Sequence, residues 1–573
     1  MEAGEILLRK GLIDRRQLEL SRKAQTDGTR LDQAAVGLGF LSEEVALKAL
    51  GEEVGLDFID LAETPVDLSL LARFPQKFIH REMMFPVRQQ NGSLIVATSD
   101  PFNLYPLDEL SVATKLTVVP MLASRSEIDK LIKTHLGVGS ETIEGLLAQS
   151  ADSRVELLEE IETDGSELSE MAQEPSVVRL VNEILLEAIE LRASDVHVEP
   201  QASGLHIRYR IDGVLHPQPV PPEISRFQAA IISRLKIMSR LNIAERRLPQ
   251  DGRIELRVAG REVDVRVSII PMIHGEGIVL RLLDKGGMDF TLSKLGMEDD
   301  LYRTYQELIR LPHGIILVTG PTGSGKSTTL YSSLLEIRSS ETKIITTEDP
   351  VEYQLDGINQ IQVHPKIGLT FANTLRSILR HDPDIVLIGE IRDLETAENA
   401  IQASLTGHLV FSTLHTNDAA GAYTRLVDMG VEPFLVSSTV EAVMAQRLVR
   451  TLCRHCKEPY RPEAGELPND FPYKKIEEGV SLYRAVGCRK CRNVGYRGRL
   501  GLFELMVTTE KIRQLAHDRT STWRIEQQAI SEGLKTLRLD GWRKVLSGRT
   551  TVDEVVRVTK GNTVEMSRSK DEG

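Results

Sequence analysis

The sequence predicts an α/β protein, and three observations lead there. A continuous apolar run, Ile315 to Val318, feeds a glycine-rich loop and then an amphipathic helix. Two later runs, "IVLI" at 385–388 and "LVFSTL" at 409–414, are short and largely apolar, as strands in the centre of a parallel sheet are. Upstream, "LHIRYRID" and "EVDVRVS" alternate between apolar and charged residues, the period of half-buried strands.

The chain has 573 residues, which predicts about three to four domains. It is 41% hydrophobic and 27% charged, in the range of soluble globular proteins. Asp plus Glu total 83 against 70 Lys plus Arg, a net charge of -13. That balance argues against broad nucleic-acid binding, which needs a basic face to neutralise phosphates. No segment approaches the ~18 apolar residues of a membrane-spanning helix. The start, "MEAGEILLRKG", is acidic and lacks the long apolar core of a secretory signal, so a cytoplasmic location is expected.

Residues 1–62 read as helical, with a short internal repeat: Gly11-Leu12-Ile13-Asp14 matches Gly39-Phe40-Leu41-Ser42. Asp14 and Ser42 are candidate caps for the helices that follow. Residues 66–137 read as a small α/β domain, with a hairpin at "MMFPVRQQNGSLIVATS" turning at Asn91-Gly92 and a helix at about 126–136. Residues 138–174 are strongly acidic, with Arg154 the single base, and read as a flexible linker.

Residues 175–290 read as a second α/β domain. It opens with a helix that has Pro175 near its start and Val178, Val181, Leu185 and Ala188 as its apolar stripe. Its strands carry Arg208, Arg210, Arg266 and Arg281 on or among their polar faces. A cation embedded in aliphatics, as in "GIVLRLLD", calls for an anion.

Residues 291–565 hold the phosphate site. Gly320-Pro321-Thr322-Gly323-Ser324-Gly325-Lys326-Ser327, followed by Thr328, is the GxxxxGK[ST] pattern between strand and helix, the context it requires. Its glycines let backbone N–H groups wrap phosphates at a helix N-terminus. Lys326 is predicted to reach the β- and γ-phosphates and Ser327 to ligate magnesium. Strands ending at Glu348-Asp349, Glu390 and His415 point chemistry to the same sheet edge. In "DIVLIGEIRD" the position where many such enzymes keep a metal-binding aspartate is Gly389. The expectation is that Gly389 leaves room beside the phosphates and Glu390 acts on water. Magnesium would then be held by Ser327, phosphates and waters, one of them anchored by Glu348 or Asp349. Arg392 is placed to position Glu390.

Cys453-Arg-His-Cys456 and Cys488-Arg-Lys-Cys491 form two knuckles, at about 450–500, whose four thiolates suit a closed, structural zinc site. Arg454, Lys457, Arg489, Lys490 and Arg492 surround them.

The set "ASDVHVEP", "RYRIDGVL", "REVDVRVS", "GPTGSGKSTTLY", "TTEDPVEY", "LRHDPDIVLIGEIRD" and "ASLTGHLVFSTLHTNDA", with the paired knuckles, resembles the secretion-ATPase superfamily. Within it, the chain resembles the type II secretion ATPase E family over roughly residues 175–560. The resemblance implies a hexameric RecA-like P-loop ATPase domain preceded by a PAS-like domain and a helical docking module, with a tetracysteine zinc subdomain. It implies ATP, Mg2+ and Zn2+ as ligands. It assigns Glu390 to the attacking water, Glu348 to positioning water or metal, His415 to sensing the γ-phosphate, and Arg266 and Arg281 to the phosphates. Arg208, Arg210, Arg376 and Arg380 are further candidates. The activity implied is ATP hydrolysis driving pseudopilus assembly and protein export, with type IV pilus extension as the alternative. The implied partners are inner-membrane platform proteins of the L and F types, so membrane contact is indirect and no nucleic acid is expected.

Residues 1–62 also resemble an N-terminal module that in some relatives binds cyclic di-GMP and in secretion ATPases docks the membrane partner. The first repeat has Glu2 where the nucleotide pattern expects Arg, although Gln25 fits; the second has Arg30 but Asp32 for Gly and Glu53 for Gln. Partner docking is therefore the expectation. A nucleic-acid translocase is disfavoured by the acidity and by the lack of interleaved aromatics.

Overall fold

A computed structural model describes residues 3–25, 30–136, 155–157, 172, 174–284 and 290–560, apart from 73, 76, 77, 80, 81, 91, 104, 259, 464 and 478. The chain divides into two compact units, Met1–Asp284 and Lys285–Gly573. Among the described residues no helix is long and apolar enough to cross a membrane.

The first unit opens with helices Ala3–Arg9, Arg15–Ala24, Leu31–Gly37 and Glu43–Val54. Asp14 caps the second by accepting from the Gln17 N–H at 2.7 Å, and Ser42 caps the fourth by accepting from the Val45 N–H at 3.3 Å. Each cap satisfies one of the helix's orphan donors, worth about 1 kcal/mol. Leu7, Ile13, Leu18, Leu31, Ala46 and Ala49 form the core beneath.

A hairpin of β1 (Met84–Gln90) and β2 (Ser93–Thr98) follows, and β3 (Thr117–Leu122) adds in parallel to β2 after the helix Tyr105–Thr114. Gly92 supplies the positive φ (78°) of the turn; Asn91 lies outside the described residues. The helices and this sheet are tied together. The Ile59 N–H donates to the Leu122 carbonyl at 2.8 Å, Glu43 accepts from the Arg125 N–H at 2.8 Å, and Arg30 pairs with Asp100 at 2.9 Å.

Part of the acidic stretch expected as linker is ordered into a strand. β4 (Val155–Leu157) pairs antiparallel with the edge of the second sheet, where a short apolar-flanked segment completes the ladder; 138–154 and 158–171 lie outside the described residues. This sheet also comprises β5 (Ala193–Gln201), β6 (Gly204–Ile211), β7 (Val214–Pro217), β8 (Gln250–Val258), β9 (Arg261–Met272) and β10 (Gly275–Asp284). Its order is β4-β8-β9-β10-β5-β6-β7, antiparallel throughout. The helix Pro175–Glu190 buries Val177, Leu180, Val181, Ile184, Leu185 and Ala188. Val178, expected on that stripe, falls at its margin because the buried face is centred one residue earlier.

The second unit is a seven-stranded sheet of order β13-β12-β14-β15-β11-β16-β19. Its strands are β11 (Gly314–Thr319), β12 (Ile344–Glu348), β13 (Asn359–Gln362), β14 (Ile385–Ile388), β15 (Leu409–Leu414), β16 (Val440–Leu452) and β19 (Tyr496–Val507). All are parallel except β19, which runs antiparallel to β16. Every residue of β11, β14 and β15 is buried, which explains the absence of alternation in those runs. Burying each of their large aliphatics contributes roughly 1.5–3 kcal/mol, so this sheet is the rigid part of the unit. Between β16 and β19 the chain forms the small hairpin β17 (Lys457–Tyr460) and β18 (Leu482–Ala485). Four helices, Glu510–His517, Thr522–Ser531, Leu537–Leu546 and Val552–Val558, complete the unit.

Candidate nucleotide site and candidate metal centre

Because β12, β14, β15 and β11 run parallel and adjacent, their C-terminal ends deliver Glu348, Glu390, His415 and the phosphate loop to one sheet edge. After Thr319 the chain turns through Gly320 and through Gly323 and Gly325 at φ +78° and +88°, then enters the helix Lys326–Ile337. A Cβ on Gly320 would lie 2.5 Å from the Gln446 carbonyl oxygen, so that position admits only glycine. Pro321, Thr322 and Gly323 are exposed along the loop, with Ser327 exposed and Thr328 half-buried in the first helical turn. Lys326 donates to the Gly320 and Pro321 carbonyls, at 2.8 and 3.2 Å. Burial pulls its pKa down, Glu390 works against that and Arg447 adds to it. The buried hydroxyl of Ser324 has no hydrogen-bond partner among the described residues. A glycine-rich turn at a helix N-terminus, a lysine resting on its own carbonyls and an orphaned hydroxyl suit a multiply charged anion.

Glu390 and His415, from neighbouring strands, meet directly: Nε2 of His415 lies 3.2 Å from Oε2 of Glu390. Arg392 pairs with the other carboxylate oxygen. Burial works to raise the pKa of Glu390, but Arg392 and His415 outweigh it and hold the group below the usual carboxylate range. It is therefore a carboxylate at neutral pH, able to accept a proton or orient a water.

Two of the expected positions gain detail. A Cβ on Gly389 would come within 3.3 Å of the Thr347 carbonyl oxygen and 3.4 Å of the Glu348 Cα, so the glycine allows β14 and β12 to close up. Its N–H donates to Thr347 at 2.8 Å and its carbonyl accepts from Thr413 Oγ1 at 2.7 Å. Glu348 is buried and its oxygens are in use: Oε1 accepts from Thr346 Oγ1 at 2.6 Å and Gln360 Nε2 at 3.0 Å, and Oε2 accepts from Tyr331. A water or metal at Glu348 would have to exchange with one of these bonds, whereas its neighbour Asp349 is exposed.

The sheet of the first unit gathers the arginines. Its register sets Arg253, Arg266, Arg281, Asp195 and Arg210 side by side across five strands. Arg281 Nε lies 3.2 Å and Arg210 Nε 3.5 Å from the Asp195 carboxylate, and Arg253 pairs with Asp264 at 2.6 Å. Arg208 pairs with Glu199 at 2.6 Å. In the second unit Arg376 pairs with Glu395 at 2.7 Å, and Arg380 donates to the Arg376 carbonyl at 3.1 Å within its own helix turn. Arg253 was missed by sequence reasoning because strand register, which aligns it, is not written in the local pattern.

The cysteines come together. Their four Sγ atoms lie within 4.8 Å of one another, with Cys453–Cys488 at 3.9 Å, Cys456–Cys491 at 3.6 Å and Cys488–Cys491 at 3.7 Å. Tetrahedral zinc with Zn–S of about 2.3 Å sets sulfurs about 3.8 Å apart, so the cluster fits that ion. Cys491 Sγ accepts from the N–H groups of Cys488 and Gly495, at 3.1 and 3.2 Å. Burial raises its pKa, but these donors, with the Cys456 and Cys488 thiols, draw it down to about 7, while burial pushes the Cys453 and Cys456 thiols up.

Residues 170–557 match the Type II/IV secretion system protein family, and residues 54–142 match the MshEN domain. The chain is 44% identical over 570 residues to the type II secretion system protein E of Xanthomonas campestris pv. campestris, covering 97% of this chain and 99% of the relative. It is 45% identical to the type II secretion system ATPase E of Vibrio cholerae, covering 87% and 99%. The type IV pilus assembly ATPase PilB of Myxococcus xanthus is 42% identical, covering 98% of each. Among solved structures, the pilus retraction motor PilT with bound ADP aligns at 28% identity and a TM-score of 0.44, over 66% of this chain and 97% of that one.

Proposed function

The chain belongs to the type II/IV secretion system protein family and is a P-loop ATPase, and from that premise we propose that it hydrolyses ATP to drive pseudopilus assembly and protein export in a type II secretion system. The observation that carries this reading is the convergence of the phosphate loop with the paired Glu390 and His415 at one sheet edge, in a chain 44% identical end to end to a type II secretion protein E.

Gly320 to Thr328 wrap the phosphates, and Lys326 exchanges its loop carbonyls for phosphate oxygens. Ser327 would help hold magnesium, whose charge would offset that of the phosphates. Glu390 orients the attacking water and takes its proton; His415 and Arg392 hold the carboxylate in place and keep it ionised. Phosphoryl transfer asks for positioning and charge neutralisation more than covalent chemistry, which is what these groups supply. Glu348 braces Tyr331 and Gln360, and the exposed Asp349 would anchor a water of the magnesium shell.

The four cysteines hold zinc as a structural ion. The protein works as a homohexamer at the cytoplasmic face of the inner membrane, reached through platform proteins of the L and F types, with the N-terminal helices docking the former. ATPase assay of Lys326→Ala and Glu390→Gln tests the site; hydrolysis surviving both sinks it. A second reading, type IV pilus assembly, is favoured by the match of 42% over 98% of the chain to PilB. Deleting the gene separates the two: loss of secreted protein supports the first, loss of surface pili the second.

A further inference from the structure

Arg447 stands beside the phosphate loop, and no motif singles it out. β16 pairs with β11 so that Ala445 faces Thr319, which carries Gln446 and Arg447 past the edge where the loop begins. Gln446 serves the loop: its Oε1 accepts from Thr329 Oγ1 at 2.8 Å, and its carbonyl closes the space against Gly320. Arg447, the next residue, points to the other face of the strand. Its Nη2 donates to Asn417 Oδ1 at 2.9 Å, two residues beyond His415. Its Nη1 is buried and has no hydrogen-bond partner among the described residues. Leaving a buried donor unpaired is unfavourable, the more so for a charged group.

The charges around it point the same way. Burial pulls the pKa of Arg447 down, and the carboxylates of Asp418 and Glu504 only partly offset this. Lys326 lies close enough to be disfavoured by Arg447 in turn. Two cations thus act on one another at the loop, and the carboxylate that acts on Lys326, Glu390, is already paired with Arg392 and His415. An anion of high charge at the phosphate loop satisfies both cations and the unpaired Nη1 together.

We propose that Arg447 is a second cationic ligand of the terminal phosphate of bound ATP, donating through Nη1, and that its bond to Asn417 passes the presence of that phosphate to the His415 loop. The proposal rests on the reading of residues 320–327 as the nucleotide site. The loop is built to receive such a signal. The Thr416 N–H is tied to Thr319 Oγ1 at 2.8 Å, the Ala419 N–H to Glu504 at 2.8 Å and the Gly421 N–H to Asp418 at 2.8 Å. Arg447 Nη2 also reaches the Asn417 carbonyl at 3.5 Å, so it holds both the side chain and the backbone of that residue.

The test is calorimetric titration of the full chain with Mg-ATP and with Mg-ADP, in a Glu390→Gln background that slows turnover. Arg447→Ala is expected to weaken ATP at least tenfold more than ADP, and Arg447→Lys to recover part of the difference. An unchanged zinc content and melting temperature show that the variants are folded; should the alanine variant fail there, Arg447→Gln and Arg447→Lys carry the same comparison. Equal weakening of ATP and ADP, or no weakening, overturns the role of Arg447. Lys326→Ala losing both nucleotides in that case leaves the site itself standing. Lys326→Ala binding both like the wild type overturns the site and the proposal with it.

Discussion

The imidazole of His415 lies 3.2 Å from the carboxylate of Glu390, across two neighbouring parallel strands, and Arg392 occupies the other carboxylate oxygen. The pair is held by the sheet itself, since Ile388 and Ser412, just before them, are opposed in register. Removing the carboxylate while keeping its shape separates binding from chemistry. Glu390→Gln is expected to lower kcat by about 10²–10⁴, the usual contribution of a positioned general base, while ATP affinity stays within about threefold. Steady-state assay with parallel nucleotide titration checks both numbers.

The knuckle cysteines give a second expectation, independent of nucleotide. The full chain should carry one zinc per polypeptide by elemental analysis, and Cys453→Ser with Cys491→Ser should carry none. Because β16 runs straight into Cys453 and the Arg450 guanidinium stacks on Tyr496 at 4.1 Å, loss of the ion should lower the melting temperature of this region. Full stability of the zinc-free variant would show the cluster to be dispensable.

Glu554 predicts a dependence on acid. Burial would raise its pKa, but Arg557 and Arg450 hold it down to about 2, through contacts of 2.7 and 2.8 Å. A carboxyl depressed from 4.5 to about 2 stabilises the folded state fully above pH 4.5, and the contribution disappears as pH falls toward 2. The shift corresponds to roughly 3 kcal/mol at neutral pH. Glu554→Gln should therefore melt well below the wild type at pH 7, with the gap narrowing at pH 4 and below. A gap independent of pH would show that packing, and not charge, is at stake.

Arg30 bears on nucleotide sensing. Its guanidinium is held by Asp32 and Asp100, each at 2.9 Å, and Asp32 is almost wholly buried. An anionic dinucleotide would have to displace both carboxylates. Titration of the full chain with cyclic di-GMP is expected to give no binding heat, and Asp32→Gly with Asp100→Asn is the variant in which binding should first appear. Micromolar binding by the wild type would overturn this.

Much of the candidate site was legible from the residues alone. The phosphate loop declares itself because its geometry is local: glycine favours the positive φ at 323 and 325, and strand, loop and helix are contiguous. The ends of β14 and β15 could be placed near it because parallel strands must deliver their C-termini to one edge. What was hidden depends on neighbours far apart in sequence. Glu348 reads as a free acid at a strand end until Tyr331, Thr346 and Gln360 are seen around it. The close approach of Gly389 to Thr347 is seen only once β12 lies beside β14. The strand at 155–157 is a mere interruption in an acidic stretch until β8 offers it an edge.

The sequence by itself determined the class of fold, the phosphate-binding loop and the four-cysteine set, since each is a short-range pattern whose chemistry needs those residues at that spacing. Only the tertiary structure decided that β16 lies beside β11, bringing Arg447 to Lys326, and that one register row aligns Arg253, Arg266, Arg281 and Arg210 around Asp195. Strand order and register are settled by which apolar faces bury together across the whole chain, and no local stretch of residues contains that information.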